Sequence, residues 1–359
     1  MSRSFAVWGC RNYTDSSSAN YNGNHVNFIN ELHINFWNVS SHDYSYLDFG
    51  ITFKAPDDDN IRHEGAICIF IPFIKHSNHF TDLSKNLEAS DDLVTAVFNE
   101  YMIERTKIDE RHLKLNLTNK GNLIINTKLT FDSSDFDKRI HITQRGKGTL
   151  IVCKLKDCLT DDSKYDHYIR LRIQLDKNEI SGLVKTFYPQ DMFLKSNIER
   201  SDIIDFRINE QRNLPNEIST TLASAACTPL KCHLFIIRDL VDDCSASGSN
   251  YKGCRILESE TWKKYFEDSV SFGDHDPMIY HWKIVNDEKS RLNDFSIVAK
   301  FKNTKTKKSK IFAYLFYGAA LTYLLKLIPT DGQYKNYLLL SAIFFIIIYL
   351  IMHIPRFRK

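Results

Sequence analysis

The segment 169–175 reads IRLRIQL, with an aliphatic side chain at every odd position and a polar side chain at every even one. Successive residues of a strand point to opposite faces of its sheet, so this alternation predicts a strand with one buried and one polar face. The segments 47–54, LDFGITFK, and 113–117, LKLNL, alternate in the same way. Antiparallel sheets commonly bury one face like this. The first two hundred residues therefore predict a β-rich antiparallel region, sandwich- or barrel-like in architecture.

Glycine-containing turns join several of these segments. The turn at 119–122, NKGN, predicts a hairpin between 113–117 and 123–131, and the turn at 145–148, RGKG, predicts a second hairpin. A few short helices are expected between the strands. One of them begins after Ser90, a good N-terminal cap that precedes two aspartates and an apolar periodic segment.

The sequence NLPN at 213–216 is typical of a boundary between elements, because proline and asparagine favour turns. We therefore expect a β-rich domain over 1–215 and a smaller α+β domain or extension over 216–300. The lysine-rich segment 301–310 is then a basic linker, and 311–359 is the last structural unit.

Two apolar segments of 18 residues make up most of this last unit: 311–328, IFAYLFYGAALTYLLKLI, and 337–354, YLLLSAIFFIIIYLIMHI. Helices of this length are about 27 Å long, close to the ~30 Å hydrocarbon core of a bilayer. The alternative is a pair of buried helices in a soluble protein, but the second segment is apolar all round. The predicted fold class is therefore α+β, with a β-rich antiparallel cytosolic region followed by a C-terminal two-helix transmembrane hairpin.

Charge is distributed unevenly along the chain. Residues 301–359 contain ten Lys or Arg and one acid, whereas residues 1–300 contain 37 Lys or Arg and 43 acids. Basic residues flank the cytoplasmic ends of transmembrane helices, so we expect a set of them to anchor the hairpin at the membrane: Lys305, Lys307, Lys308, Lys310, Arg356 and Arg358. Because no secretory signal is recognisable at the N-terminus, the sequence predicts an integral membrane protein of a bacterial inner membrane, with both termini cytoplasmic.

Sequence motifs for catalysis and cofactor binding are missing. No glycine-rich phosphate loop, nucleophile elbow or zinc-protease motif occurs. The remaining catalytic candidates are His141, His275 and Asp276, because a histidine beside a carboxylate can act as a general base. The eight cysteines lack the spacing of zinc-binding pairs and are expected to be reduced thiols. The sequence therefore predicts no metal and no cofactor, and it favours a protein that is not an enzyme.

Four arginines are the candidate ligand-binding residues. Arg170 and Arg172 share a face of one strand, and Arg207 and Arg212 lie on or just beyond a second alternating segment. If these two strands pair, the guanidinium groups form a basic face that binds phosphate or carboxylate bidentately. The alternative is a solvated sheet face with cross-strand ion pairs. We expect a small anionic ligand or a protein partner, and no nucleic acid, because residues 1–300 are acidic overall.

Three functions fit this organisation. The first is a membrane-anchored cytosolic sensor or effector that responds to a ligand or partner and acts through an oligomerising transmembrane hairpin, a plan that prokaryotic antiviral effectors share. This function makes the lipid bilayer and further copies of the chain its partners. The alternatives are a membrane-tethered scaffold that localises a partner, and a membrane-tethered hydrolase or nuclease.

Overall fold

The structure is a computed structural model. It describes residues 4–13, 26–40, 42, 44–131, 139–160, 164–188, 199–245, 250–266, 272, 275–286, 293–304, 315–316, 318–322, 340 and 343–344. In the described part of the chain, 48% of the residues are in strands and 24% are in helices. The β-rich character that the alternating segments predict is therefore confirmed.

The strands follow one another along the described chain, interrupted by short helices and turns. They are β1 (Ala6–Cys10), β2 (Ile29–Trp37), β3 (Ser45–Lys54), β4 (Ala66–Ile71), β5 (Phe80–Asp82), β6 (Met102–Lys107), β7 (His112–Leu117), β8 (Gly121–Asn126), β9 (Ile140–Arg145), β10 (Gly148–Lys154), β11 (Asp166–Leu175), β12 (Val184–Phe187), β13 (Glu199–Ile208), β14 (Lys231–Arg238), β15 (Asp242–Cys244), β16 (Tyr251–Ile256), β17 (Met278–Val285) and β18 (Phe295–Thr304). The two predicted hairpins are confirmed, as β7 pairs with β8 and β9 with β10, both antiparallel.

The helices are short and lie between the strands. They are α1 (Asp59–Glu64), α2 (Ser84–Ala89), α3 (Asp91–Phe98), α4 (Leu155–Cys158), α5 (Lys177–Leu183), α6 (Asn216–Ala223) and α7 (Ser259–Tyr265), with 3₁₀ turns at Ser77–His79 and Gln211–Asn213. The predicted cap is confirmed, because the Ser90 side chain accepts a hydrogen bond from the backbone N–H of Leu93.

Three sheets organise these strands. The largest has ten strands in the order β16-β17-β14-β2-β3-β11-β8-β7-β6, with β5 paired to β11. Two four-stranded sheets have the orders β1-β4-β10-β9 and β12-β13-β18-β15. In the largest sheet, β2 runs parallel to β14 and β8 runs parallel to β11. The expectation of a wholly antiparallel region is therefore wrong, because these pairs are joined by long connections and no tight turn fixes their direction.

The ten-stranded sheet has two different faces, as the alternation in β11 predicts. On one face, Ile169, Leu171 and Ile173 of β11 are buried in the largest hydrophobic core, together with Phe49 and Ile51 of β3. The opposite face carries the charged side chains of the same two strands. We call this second surface the polar face; it contains Asp48, Arg170 and Arg172.

Helices α3 and α7 cover the polar face. Phe98 of α3 packs on Tyr168 with ring centroids 4.9 Å apart, and Trp262 of α7 packs on Trp37 at 5.4 Å. These four aromatic residues belong to a second hydrophobic core. As a result, Arg170 and Arg172 are buried, at 2% and 6% exposure, and do not lie on a solvated sheet face.

The predicted transmembrane hairpin is contradicted. Among the described residues, no helix is long and apolar enough to cross a membrane. The prediction rested on apolar segments with basic flanks. These are features of composition, and composition alone does not determine that a segment forms one continuous helix. The predicted integral-membrane location in a bacterial inner membrane is contradicted by the same finding.

Most of the segment on which that prediction rested lies outside the described residues. This applies to 323–339 and 345–359, and it applies to every one of the predicted membrane-anchoring side chains: Lys305, Lys307, Lys308, Lys310, Arg356 and Arg358.

The chain divides into two units. The first comprises Met1–Lys185 and Ile203–Phe301, and the second comprises Thr186–Asp202 and Lys302–Lys359. Within the first unit, β2 pairs with β14, so the ten-stranded sheet contains residues from both sides of the expected boundary at 215. All residues of the site described below belong to the first unit.

Candidate functional site

A cavity of about 460 Å³ lies on the polar face of the ten-stranded sheet. Its floor comes from β2, β14, β17 and β11, and its walls come from α3, α7, β16 and the turn between β7 and β8. Ligand pockets in proteins are typically about 300–1,000 Å³. The cavity is therefore large enough to hold a small organic ligand.

A single row of cross-strand neighbours forms the polar part of the floor. His33 of β2 pairs with His233 of β14, and His233 pairs in turn with Lys283 of β17. In the other direction, His33 pairs with Gly50 of β3, which pairs with Arg170 of β11. Residues paired in register point to the same face of a sheet. The strand register thus gathers two histidines, a lysine and an arginine from distant parts of the sequence.

Gly50 makes room for two side chains of the floor. A Cβ atom on Gly50 would clash with the Tyr168 hydroxyl and would lie 3.0 Å from Arg170 Nη1. The glycine therefore lets these two side chains lie directly over β3, where any larger residue would displace them.

We expect Gly50→Ala to lower the free energy of unfolding by about 1–3 kcal/mol, the usual cost of overpacking a well-packed site. Urea-induced unfolding measures this change. Gly182→Ala is the matched control, because its added Cβ would meet only Phe73, at an ordinary 3.6 Å. An equal loss of stability in both variants would contradict the role given to Gly50.

The histidines of the floor contact one another. Nδ1 of His233 lies 3.1 Å from Nε2 of His281, and the two rings stack at a centroid distance of 5.2 Å. The rings of His33 and His233 meet edge to face at 4.8 Å. His33 Nε2 also lies 3.5 Å from Oε2 of Glu31. The cluster therefore combines three imidazoles with one carboxylate.

Burial keeps these imidazoles neutral. It lowers the pKa of His233 to about 3 and the pKa of His281 to about 4. The pKa of His33 is also lowered, because burial outweighs the nearby Glu31 carboxylate. The contact with His33 holds the pKa of Glu31 well below its usual range. At neutral pH, the cluster thus presents neutral imidazoles and an ionised carboxylate.

We expect the free energy of unfolding to fall as the pH is lowered from about 6.5 towards about 4. The unfolded chain binds protons at its histidines below about pH 6.5, whereas folded His281 stays neutral down to about pH 4. Melting temperatures of the wild type and His281→Phe measure the effect when they are compared between about pH 7.5, which is above this window, and about pH 4.5, which is near its lower end. The wild type should lose more stability than the variant, and an equal loss in both would contradict the expected titration.

Arg170 is a buried cation that lines the cavity. Its Nε donates a hydrogen bond to the Tyr265 hydroxyl at 2.6 Å, and its Nη1 donates to the Tyr168 hydroxyl at 2.7 Å. Among the described residues, no carboxylate forms an ion pair with it. Burial lowers the pKa of Arg170, but Tyr168, Tyr265 and Asp48 together raise it above its ordinary value. Arg170 therefore remains charged, with two tyrosine hydroxyls as its direct partners.

Arg172 has a different environment from Arg170. Its Nε and Nη2 donate to the two carboxylate oxygens of Asp48, at 2.7 and 3.0 Å. Asp48 is fully buried and also accepts hydrogen bonds from the Trp37 indole at 2.8 Å and from the Tyr265 hydroxyl at 2.9 Å. The charge of Arg172 is thus balanced within the protein, and Arg172 supports the floor without lining the cavity.

The other two predicted arginines lie elsewhere. Arg207 is on β13, in a different sheet from β11, so the two predicted strands do not form one basic face. Arg207 forms ion pairs with Asp205 and Glu210, at 2.8 and 2.7 Å. Arg212 is exposed and contacts the same Glu210 at 3.0 Å.

The predicted catalytic candidates lie outside the cavity lining. His141 is half-buried on β9 of a four-stranded sheet, and His275 and Asp276 are exposed just before β17. The structure therefore does not bring these three residues together with the histidine cluster.

Sequence reasoning missed Glu31, His33, His233 and His281. A usable signal exists for the histidines, because His33, His233 and His281 each lie between two buried apolar residues of a strand. Their juxtaposition depends on the parallel pairing of β2 with β14, for which the sequence carries no turn signal.

Comparisons with known proteins add no assignment. Neither a scan against protein-family models nor a search of curated proteins finds a match to this chain.

Proposed function

We propose that this protein binds a small phosphorylated organic compound in the cavity above β2, β14 and β11. The observation that carries the proposal is Arg170, a buried guanidinium group that lines the cavity and has two tyrosine hydroxyls as its direct partners. Burying a charge is costly unless it is well paired. The hydroxyls accept from Nε and Nη1, and no described residue accepts from Nη2. Nη2 can therefore donate to a ligand oxygen, and phosphate is a preferred acceptor for arginine.

The charge of the lining also favours an anion. Lys120, Lys252, Arg255 and Lys283 line the cavity beside Arg170, whereas Glu31 is the one acid among the lining residues. Lys120 and Lys231 both contact Glu31, at 2.9 and 3.3 Å, so its carboxylate is already compensated. A concave surface with an excess of one charge attracts ligands of the opposite charge.

Aromatic side chains in the lining favour a ligand with a flat ring. Phe98, Phe235 and Trp262 all line the cavity. Phosphate, ring and cavity size together favour a compound of the mononucleotide class.

Of the expected sensor or effector function, this proposal retains the binding of a ligand and does not include an action on the membrane. The effector depended on a transmembrane hairpin, which is contradicted. Neutral histidines beside a phosphate site are also compatible with hydrolysis, but the observation that carries the proposal, the buried Arg170, concerns binding. We therefore propose a ligand-responsive binding protein.

Thermal unfolding of the full chain with adenosine monophosphate, adenosine or inorganic phosphate tests this proposal. A ligand that binds only the folded state stabilises it by about 2.7 kcal/mol at a concentration one hundred times its dissociation constant. We expect the monophosphate to raise the melting temperature much more than the nucleoside does. Equal shifts with the nucleotide and the nucleoside, or no shift with either, would overturn the proposal.

A further inference from the structure

We propose that Glu31, His33 and His233 bind a divalent transition-metal ion of the zinc class at the cavity floor. The three residues offer two imidazole nitrogens and one carboxylate oxygen, and these atoms all lie within 4.8 Å of one another. Nitrogen donors select zinc and its neighbours over magnesium and calcium, which prefer oxygen ligands. The inference does not rest on the proposed ligand, because it concerns the affinity of the protein for the metal alone.

The distances resemble those within a metal coordination sphere. Donor atoms about 2.0–2.1 Å from a tetrahedral zinc ion lie about 3.3 Å from each other. Oε2 of Glu31 and Nε2 of His33 are 3.5 Å apart, which is long for a hydrogen bond but close to this edge length. The third donor atom, on the His233 ring, lies within 4.8 Å of the other two.

The free ring nitrogen of His233 is available for a metal. Nε2 of His233 is buried and has no hydrogen-bond partner among the described residues. Its other nitrogen, Nδ1, lies 3.1 Å from Nε2 of His281. Metal-bound histidines usually donate their second N–H to such an acceptor, which fixes the tautomer and the ring orientation. His281 is therefore the positioning residue of the site, and its own ring is held by stacking on Phe235 at 4.4 Å.

The lysines around Glu31 are consistent with one bound metal. Lys231 contacts Oε1 of Glu31 at 3.3 Å and can remain there, because ligating carboxylates are commonly hydrogen-bonded on their second oxygen. Lys120 contacts Oε2 at 2.9 Å and has to move aside when the metal binds. Lys120 is at the cavity rim and exposed, so this movement is inexpensive.

Three protein ligands leave a fourth coordination position open, as in catalytic zinc sites. Because Glu31, His33 and His233 all line the cavity, that position faces the space assigned to the anionic ligand. A bound metal ion thus adds a positive charge next to Arg170.

Cobalt titration of the untagged, chelator-treated full chain tests the site, because tetrahedral Co²⁺ absorbs visible light. We expect one cobalt per chain, displaced by zinc, with binding lost in His33→Gln and in His233→Gln. His63→Gln is the matched control, since His63 is exposed and outside the cavity. His281→Phe should weaken binding about 10- to 100-fold while the absorption bands keep their shape.

Three results would overturn the inference. They are the absence of cobalt binding to the folded wild type, undiminished binding in both glutamine variants, and thiolate charge-transfer absorption that disappears in Cys254→Ser. The last result would assign the metal to Cys254, which also lines the cavity. Circular dichroism of each variant establishes that it is folded. If the glutamine variants do not fold, the wild-type spectrum decides, because histidine and carboxylate ligands give no thiolate band.

Discussion

Arg170→Met is expected to weaken the binding of adenosine monophosphate by about 2–5 kcal/mol, which is roughly thirty-fold to several thousand-fold. Among the described residues, the direct hydrogen-bond partners of the buried guanidinium are two tyrosine hydroxyls, so the proposed phosphate would be its charged acceptor. Methionine keeps an unbranched apolar chain and carries no charge, so it cannot donate a hydrogen bond to a phosphate. Isothermal titration calorimetry measures the change in affinity.

The fold should survive this replacement. Exchanging a buried charge for an apolar side chain of similar volume is often neutral for stability. Tyr265, one of the two partners of Arg170, still donates its hydroxyl hydrogen to Asp48. Arg212→Met is the matched control, because Arg212 is exposed and lies outside the cavity. If the control weakens binding as much as Arg170→Met does, Arg170 is not the anion-binding residue.

Asp48→Ala is expected to lower the free energy of unfolding by about 3–5 kcal/mol. The substitution leaves Arg172 buried without a counterion, and it removes the acceptor that the Trp37 indole and the Tyr265 hydroxyl share. An unpaired buried charge is much more costly than a lost surface ion pair. Chemical denaturation followed by circular dichroism measures the loss.

Glu260→Ala is the comparison for this prediction. Glu260 forms an ion pair with Lys263 at 2.8 Å, but its side chain is 88% exposed. Exposed pairs contribute about 0–1 kcal/mol. In addition, Asp48→Leu combined with Arg172→Met should be less destabilising than Asp48→Ala alone, because neither charge then remains buried. If Asp48→Ala lowers the free energy of unfolding by no more than Glu260→Ala does, the Asp48–Arg172 pair is not buried as described.

Much of the local structure could be predicted from the sequence. Strands β3, β7 and β11 each place apolar side chains on one face and mostly polar side chains on the other, so their alternation was visible in the order of residues. The two hairpins were visible because glycine-containing turns fix their register. The cap at Ser90 was visible because its hydrogen bond reaches only three residues along the chain. Each of these features is local.

The roles of Arg170 and Arg172 could not be separated from the sequence. Both occupy polar positions of β11, two residues apart. Their environments differ because of the opposite strand, where Arg172 pairs with Asp48 and Arg170 pairs with Gly50. Arg172 therefore binds a carboxylate, whereas Arg170 lines the cavity and binds two tyrosine hydroxyls. Only the register between β3 and β11 determines this difference.

The histidine cluster could not be predicted from the sequence, because it too depends on strand pairing. His33 and His233 are neighbours through a parallel pair of strands, and parallel strands are joined by long connections that leave no turn motif. For the C-terminal segment, the sequence predicted a structure that the described residues contradict. Its apolar composition and basic flanks favoured a transmembrane hairpin, yet no described helix is long and apolar enough to span a membrane.

The most direct test of the central claim is calorimetric titration of the wild-type full chain with adenosine monophosphate at neutral pH, with adenosine as the paired ligand. The two ligands differ only in the phosphate, so the difference in affinity isolates the interaction assigned to Arg170 and the basic lining. We predict one binding site per chain and at least a tenfold weaker affinity for the nucleoside, about 1.4 kcal/mol. No binding of the monophosphate, or equal affinity for both ligands, would contradict the account.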